Sequence, residues 1–218
     1  MHPARRVGCV AMLATMLPAV ALSQSLHNFK DAWFWGIKGG AMSFSTTLVE
    51  NRSEPLAGIE WLLTRTNSAL YLSIDQTNFK ATSTIRDSLG VRHTVNIEDM
   101  RRATAAAMVF PLSFATPVGT FRTYAGVGLA LNFIQEAELA TVPTDPGVRE
   151  DLEERLDEQQ DRAAPLLILG LQLHVGRLAA FVQGTAMPAE NDFLLNGRAT
   201  AFAEAGLRIN AGKSKSTY

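Results

Sequence analysis

Cysteine is all but missing from this chain of 218 residues. The single one, Cys9, lies in an N-terminal apolar stretch. Once that stretch is removed, no disulfide framework or thiolate metal site is possible. Charge is thin as well, with 19% of residues Asp, Glu, Lys or Arg against about 25% in an ordinary soluble domain. The two signs nearly cancel, leaving a formal net charge of −1, so no basic footprint points to nucleic acid. Long apolar runs are also lacking. The nearest approach to a membrane helix, residues 163–189, contains Gln172, His174, Arg177 and Gln183, which are costly on a helix at the centre of a bilayer. There is no HExxH, nucleophile elbow, phosphate-binding glycine loop or EF-hand pattern. No cofactor and no metal are expected.

What is present begins with an export signal. His2, Arg5 and Arg6 make a positive start, and residues 7–22 form a short apolar stretch broken by Thr15 and Pro18. Ala21-Leu22-Ser23 places small residues where a signal peptidase reads, so cleavage is expected before Gln24. The apolar run is shorter than the ~20 residues a spanning helix needs. The chain thus divides into a signal peptide, 1–23, and one mature domain, 24–218.

Beyond a polar lead over 24–32, apolar residues recur at every second position, the mark of strands. In 120–133 one face carries Phe121, Thr123, Ala125, Val127, Leu129, Leu131 and Phe133. The other carries Arg122, Tyr124, Gly126, Gly128, Ala130 and Asn132. The same reading gives eight strands, at 33–44, 56–64, 69–79, 95–112, 119–133, 166–175, 178–187 and 199–211. Most match the ~9–11 residues of a tilted membrane strand. Links after even-numbered strands are short (65–68, 115–118, 176–177) and links after odd-numbered strands are longer, as in barrels with short periplasmic turns and long external loops. The longest, 135–164, holds ten of the 21 acidic residues. Asp145 is placed to cap a helix with Pro146 at its first position, and Leu152 and Leu156 share one face. A charged helical or partly disordered external loop is expected there.

A soluble barrel needs a charged, Thr-rich outer face and apolar bulk within. Here the less apolar face is built of Gly36, Gly40, Gly126, Gly128, Gly170 and Gly206, which suits a narrow lumen, and the opposite face is Leu, Val, Ile and Ala. The fold class expected is all-β: an eight-stranded antiparallel transmembrane up-and-down barrel. Trp33, Trp35, Trp61, Phe110 and Phe121 fall at the turn-side strand ends, where an interfacial aromatic girdle belongs. Strand parity points Lys38, Glu60, Asp75, Arg122, Glu204 and Arg208 inward. Parity in the fourth strand is ambiguous; Arg102 is assigned to the lumen, with Arg101 as the alternative. Confined charges must pair or draw in water, so one connected network plugging the lumen is expected, and a gated polar pathway is the alternative. His93 has Asp87, Ser88 and Asp99 nearby in sequence, but no triad forms by spacing. His27 and His174 fall toward the periplasmic end.

The last strand carries Glu204, Gly206, Leu207 and Ile209, which resemble the assembly signal of small outer-membrane barrels, although Ala211 stands where an aromatic residue is usual. From about Trp33 to Ala211 the chain resembles the eight-stranded OmpA-barrel and OmpX-like group. That resemblance implies insertion in the cell outer membrane as a monomer, with lipids and the assembly machinery as partners, no nucleic acid and no enzymatic role. It favours a structural or surface-interaction protein over a narrow pore for small solutes, with an outer-membrane lipid-modifying enzyme as the remote alternative.

Overall fold

A computed structural model describes residues 29–188, 193–195 and 199–213. The signal peptide 1–23, the cleavage point at Gln24 and His27 lie outside the described residues. The elements are β1 (Ala32–Phe44), β2 (Arg52–Thr64), β3 (Ser68–Arg86), β4 (Arg92–Val109), β5 (Ser113–Thr116), β6 (Gly119–Leu139), α1 (Pro146–Gln160), β7 (Asp161–Val175), β8 (Leu178–Met187) and β9 (Thr200–Lys213). Each strand pairs antiparallel with its neighbour. β1 closes on β9 and β4 on β6, which leaves a barrel of eight staves. β5 is a short extra strand that pairs with the start of β6 and fills the turn where β4 ends at Val109. Both described ends of the chain lie with the short turns.

Around the lower barrel the outward positions are aliphatic and exposed: Ile37, Ile59, Leu70, Ile74, Val127, Leu129, Leu169, Val182 and Leu207 are all at least 46% exposed. Inward positions there mix polar and charged residues and glycine with apolar side chains such as Phe34, Leu62, Met108 and Phe181. Toward the loop end this pattern inverts. On β3 the inward residues become Phe79, Ala81 and Ile85, all buried, while Lys80, Thr82 and Thr84 face out. A strand polar inside and apolar outside suits lipid, and the reverse suits water. β3, β4 and β6 therefore continue as a soluble-type sheet past the apolar belt. This is why β3 ends at Arg86 and not at 79, and β6 at Leu139 and not at 133.

The inversion is accompanied by a bulge. Between the pairs Thr77–Met100 and Lys80–Glu98, β3 contributes Asn78 and Phe79 while β4 contributes only Asp99. Asp99 has a φ of 54°, and its Oδ1 accepts the Phe79 N–H at 3.1 Å. β3 keeps its alternation through this mismatch, and β4, one residue shorter, changes parity: Val95 and Ile97 face in above the bulge and Met100, Arg102 and Thr104 face in below it. This explains the ambiguity in sequence: Arg102 is inward and 2% exposed, and Arg101 is outward.

The projecting strands enclose the loop-end part of the apolar core. Phe44, Phe79, Ile85, Val95, Ile97 and Ile134 pack with Leu152 and Leu156 of α1 and with Phe193, Leu194 and Leu195 from the link between β8 and β9. The Ser83 hydroxyl donates to the Leu194 carbonyl at 2.7 Å and ties that link inside. The loop over 135–164 is accordingly more ordered than the sequence implied: β6 runs to Leu139, α1 fills 146–160, and β7 starts at Asp161. Asp145 caps α1 by accepting the Gly147 N–H at 2.8 Å, with Pro146 leading the helix.

Candidate functional site: the filled lumen

The inward positions of β1, β3, β4 and β9 bring four charges together. Lys38 Nζ lies 2.8 Å from Asp75 Oδ1 and 2.9 Å from Glu204 Oε1. Arg102 Nη2 lies 2.7 Å from both Asp75 Oδ2 and Glu204 Oε1. Two cations and two carboxylates alternate around this quartet, which is neutral as a whole. Lys38 and Glu204 have further partners, while Arg102 Nη1 is buried with no hydrogen-bond acceptor among the described residues. Lys38 donates to the hydroxyls of Tyr71 and Ser73, and Glu204 Oε2 accepts from Gln183 Nε2 at 2.6 Å and from Thr185 at 3.2 Å.

A second tier lies nearer the turn end. Arg208 of β9 pairs with Glu60 of β2 through Nε and Oε1, with a further bond from Nη2 to Oε2 at 3.3 Å. Its Nη1 donates to Gln172 Oε1 at 2.7 Å. Tyr124 stands between the tiers. Arg208 lies 5.5 Å from the centre of its ring, and its hydroxyl donates to Gln183 Oε1 at 3.0 Å. The expected single network is thus two ion-pair tiers, joined through Tyr124 and Gln183 and not by charge-to-charge contact. Arg122 corrects the expectation further. It faces inward but makes no ion pair among the described residues; its guanidinium lies 4.2 Å over the Phe29 ring.

Aromatic faces bound the tiers. Phe202 lies 3.6 Å from Arg102 on the loop side, and Phe181 lies 3.9 Å from Arg208. The turn end is closed by Phe29, which stacks edge-on with Phe110 at 4.8 Å and with His174 at 5.2 Å and whose carbonyl accepts from Thr64. Inward glycines make this filling possible. A Cβ on Gly36 would come within 2.7 Å of Glu60 Oε1, and one on Gly206 within 2.7 Å of the Phe181 ring. At Gly58 and Gly170 it would overlap the Asp75 carboxylate and the Tyr124 ring.

Outside, Trp33, Trp35 and Trp61 form one cluster at the turn end, with Trp35 stacked on Trp61 at 4.9 Å and 15°. Phe121 is 41% exposed on the same surface. Phe110 is not part of this girdle. The chain leaves β4 at Val109, and Phe110, 4% exposed, turns into the barrel mouth. Inward partners that the charge pattern missed are Tyr71, Ser73 and Thr185; Gln172 and Gln183 were already legible as polar residues that a strand can turn into the lumen. Tyr71 and Ser73 share the parity of Asp75, which was the available signal there, whereas β8, which carries Gln183 and Thr185, has no charged residue. Phe29 and Leu194 had no signal, because both come from irregular segments.

At the loop end, Asp87 closes the β3–β4 hairpin. Its carboxylate accepts from His93 Nε2 at 3.0 Å and from the backbone N–H groups of Val91 at 2.8 Å and Leu89 at 3.0 Å. The His93 bond first, and the two backbone donors after it, hold this carboxyl below the usual carboxylate range. Ser88 is occupied elsewhere, its N–H donating to Asp151 of α1 at 2.8 Å, and Asp99 serves the bulge. The Asp87–His93 pair is a turn clamp, and Ser88 and Asp99 do not complete a triad with it.

Among solved structures, the fold is similar to that of neisserial surface protein A, with 12% identity and a TM-score of 0.52 over 81% of this chain and 96% of that one. Looser likenesses are to Ail, the attachment invasion locus protein of Yersinia pestis (9% identity, TM-score 0.46, 84% of this chain and 99% of that one), and to the outer membrane protein OprG from Pseudomonas aeruginosa (12%, 0.46, 84% and 95%). No family model and no curated protein matches the chain. The fold is that of the small eight-stranded outer-membrane barrels.

Proposed function

We propose that the mature chain is a sealed outer-membrane surface protein, whose lumen is a plug and whose loop end is a rigid external dome for contacts outside the cell. The observation that carries this reading is the unbroken stack within the barrel. Leu194 and its neighbours, Phe202, the quartet, the Arg208–Glu60 tier and Phe29 follow one another from mouth to mouth, all buried. The aliphatic belt and the tryptophan cluster fit lipid around the wall. On β9, Glu204 and Gly206 face in while Leu207 and Ile209 face out, the arrangement suited to reading by the assembly machinery. The protein acts as a monomer, with lipids as its standing partners.

Conductance of the purified barrel in planar bilayers tests this. The sealed reading expects no resolved current steps over a range of voltages. Regular open-channel steps in the unmodified protein would replace it with the narrow-pore reading.

A further inference from the structure

Arg122 is the one cation for which the described lumen offers no carboxylate. Below the bulge, four buried cations, Lys38, Arg102, Arg122 and Arg208, face three buried carboxylates, Glu60, Asp75 and Glu204. Each carboxylate is already engaged by a cation other than Arg122. Arg122 is only 7% exposed, and its fully buried Nε–H meets no acceptor among the described residues. The Phe29 ring covers the face of the guanidinium, but the N–H groups of that group point outward in its own plane, so the ring does not satisfy them.

The neighbours make the deficit larger. Gln172 is the direct cross-strand partner of Arg122 and is 1% exposed. Its amide cannot turn to help, because Arg208 holds Oε1 at 2.7 Å. That leaves Nε2, a donor, as the unpartnered end. His174 follows on the same face of β7, is 5% exposed, and its Nε2 is also unpartnered. These adjacent inward positions at the turn end thus gather guanidinium and amide donors, an imidazole nitrogen and one surplus positive charge. A water molecule could accept the N–H groups but would leave the charge unbalanced. A monovalent anion does both.

We propose that Arg122, Gln172 and His174 form a binding site for a small inorganic anion of the halide class, which supplies the counter-charge at the turn end. His174 contributes a donor in its Nε2–H form. Phe29 on one side and the Arg208–Phe181 stack on the other bound the site, favouring a compact ion over a bulky carboxylate or phosphate ester. The ion enters as the barrel closes and stays as part of the folded lumen.

The test uses the full mature chain folded in detergent micelles. Its thermal unfolding midpoint is followed by gel mobility as chloride replaces gluconate at constant ionic strength, and crystals grown in bromide are measured for anomalous scattering. The expected results are a midpoint that rises with chloride and an anomalous peak within hydrogen-bond reach of Arg122 Nε. Gln172→Leu should weaken the apparent chloride affinity about tenfold or more, the usual effect of losing a charge-assisted bond, and Arg122→Met should abolish the chloride dependence. Should Arg122→Met fail to fold, the Gln172→Leu titration and the bromide peak decide. Equal midpoints in chloride and gluconate, a bromide peak absent from the site, or a chloride dependence that survives Arg122→Met would each overturn the proposal.

Discussion

Replacing Glu204 by Gln is the sharpest probe of the quartet. The substitution keeps shape and volume, so no cavity forms, and it removes one of two negative charges that lie 2.7 and 2.9 Å from buried cations. Lys38 and Arg102 would then share Asp75 alone. Breaking a buried pair by removing one partner costs about 3–5 kcal/mol, because the survivors stay buried without compensation. That is a large share of the ~5–15 kcal/mol that holds most folded domains. If charge balance is the cause, a second change that restores it should recover stability. Lys38→Met in the Glu204→Gln background leaves Arg102 facing Asp75, so the double variant should be more stable than Glu204→Gln alone by about 1.5–3 kcal/mol, the coupling expected of contacting charges. Urea unfolding in lipid vesicles, followed by tryptophan fluorescence, reads both values. The three tryptophans all lie on the outer wall of β1 and β2, away from the substituted side chains. A loss under about 1 kcal/mol in Glu204→Gln, or no recovery in the double variant, would refute the argument that this lumen is held by mutual neutralisation.

Other expectations follow from single contacts. Gly170→Ala should destabilise the barrel by about 1–3 kcal/mol, the range for overpacking, because the added methyl overlaps the Tyr124 ring; unchanged urea midpoints would contradict it. In the cysteine-free mature chain, Glu150→Cys on α1 should react with an impermeant maleimide on intact cells. Asn67→Cys, in the β2–β3 turn, should react only after the outer membrane is opened, and the reverse pattern would invert the topology. Because the Asp87 carboxyl is held below its unfolded range, its support of the hairpin tip is complete at neutral pH and is lost as pH falls through the lowered value. Amide exchange at Leu89 and Val91, corrected for its intrinsic pH dependence, should therefore stay protected at neutral pH and rise only in strong acid. Protection that does not change with pH would count against the clamp.

The barrel was legible because the membrane imposes one rule on every strand. Where lipid faces the wall, alternation places each side chain, and it put Lys38, Glu60, Asp75, Glu204 and Arg208 inside without knowledge of their partners. Legibility failed where that rule ceases to act. Asp99 interrupts the period on β4, and a bulge leaves no compositional mark beyond one residue that tolerates a left-handed backbone. Beyond the belt, alternation continues with its sense reversed, as at Phe79, Ala81 and Ile85, so a search for apolar outer faces stops too early. Phe110 was misplaced for a related reason: it lies one residue past the end of β4, where parity no longer says which way a side chain turns. The pairing of Arg122 could not be read at all, since parity tells which residues share the lumen but not how many cations each carboxylate will serve.

The position of these charges along the chain bears on how the barrel is made. β9 follows the other eight described strands in the chain, so it leaves the ribosome and the export channel after them, and it carries both Glu204 and Arg208. Glu204 compensates Lys38 and Arg102, whose strands were made more than a hundred residues earlier, and Arg208 compensates Glu60 on β2. An unfinished sheet of the first strands therefore exposes Glu60 without its partner and leaves two cations to a single Asp75. Only docking of β9 at the β1 seam settles both tiers at once. Electroneutrality of the two tiers thus favours closure of β9 in the correct register over any earlier intermediate.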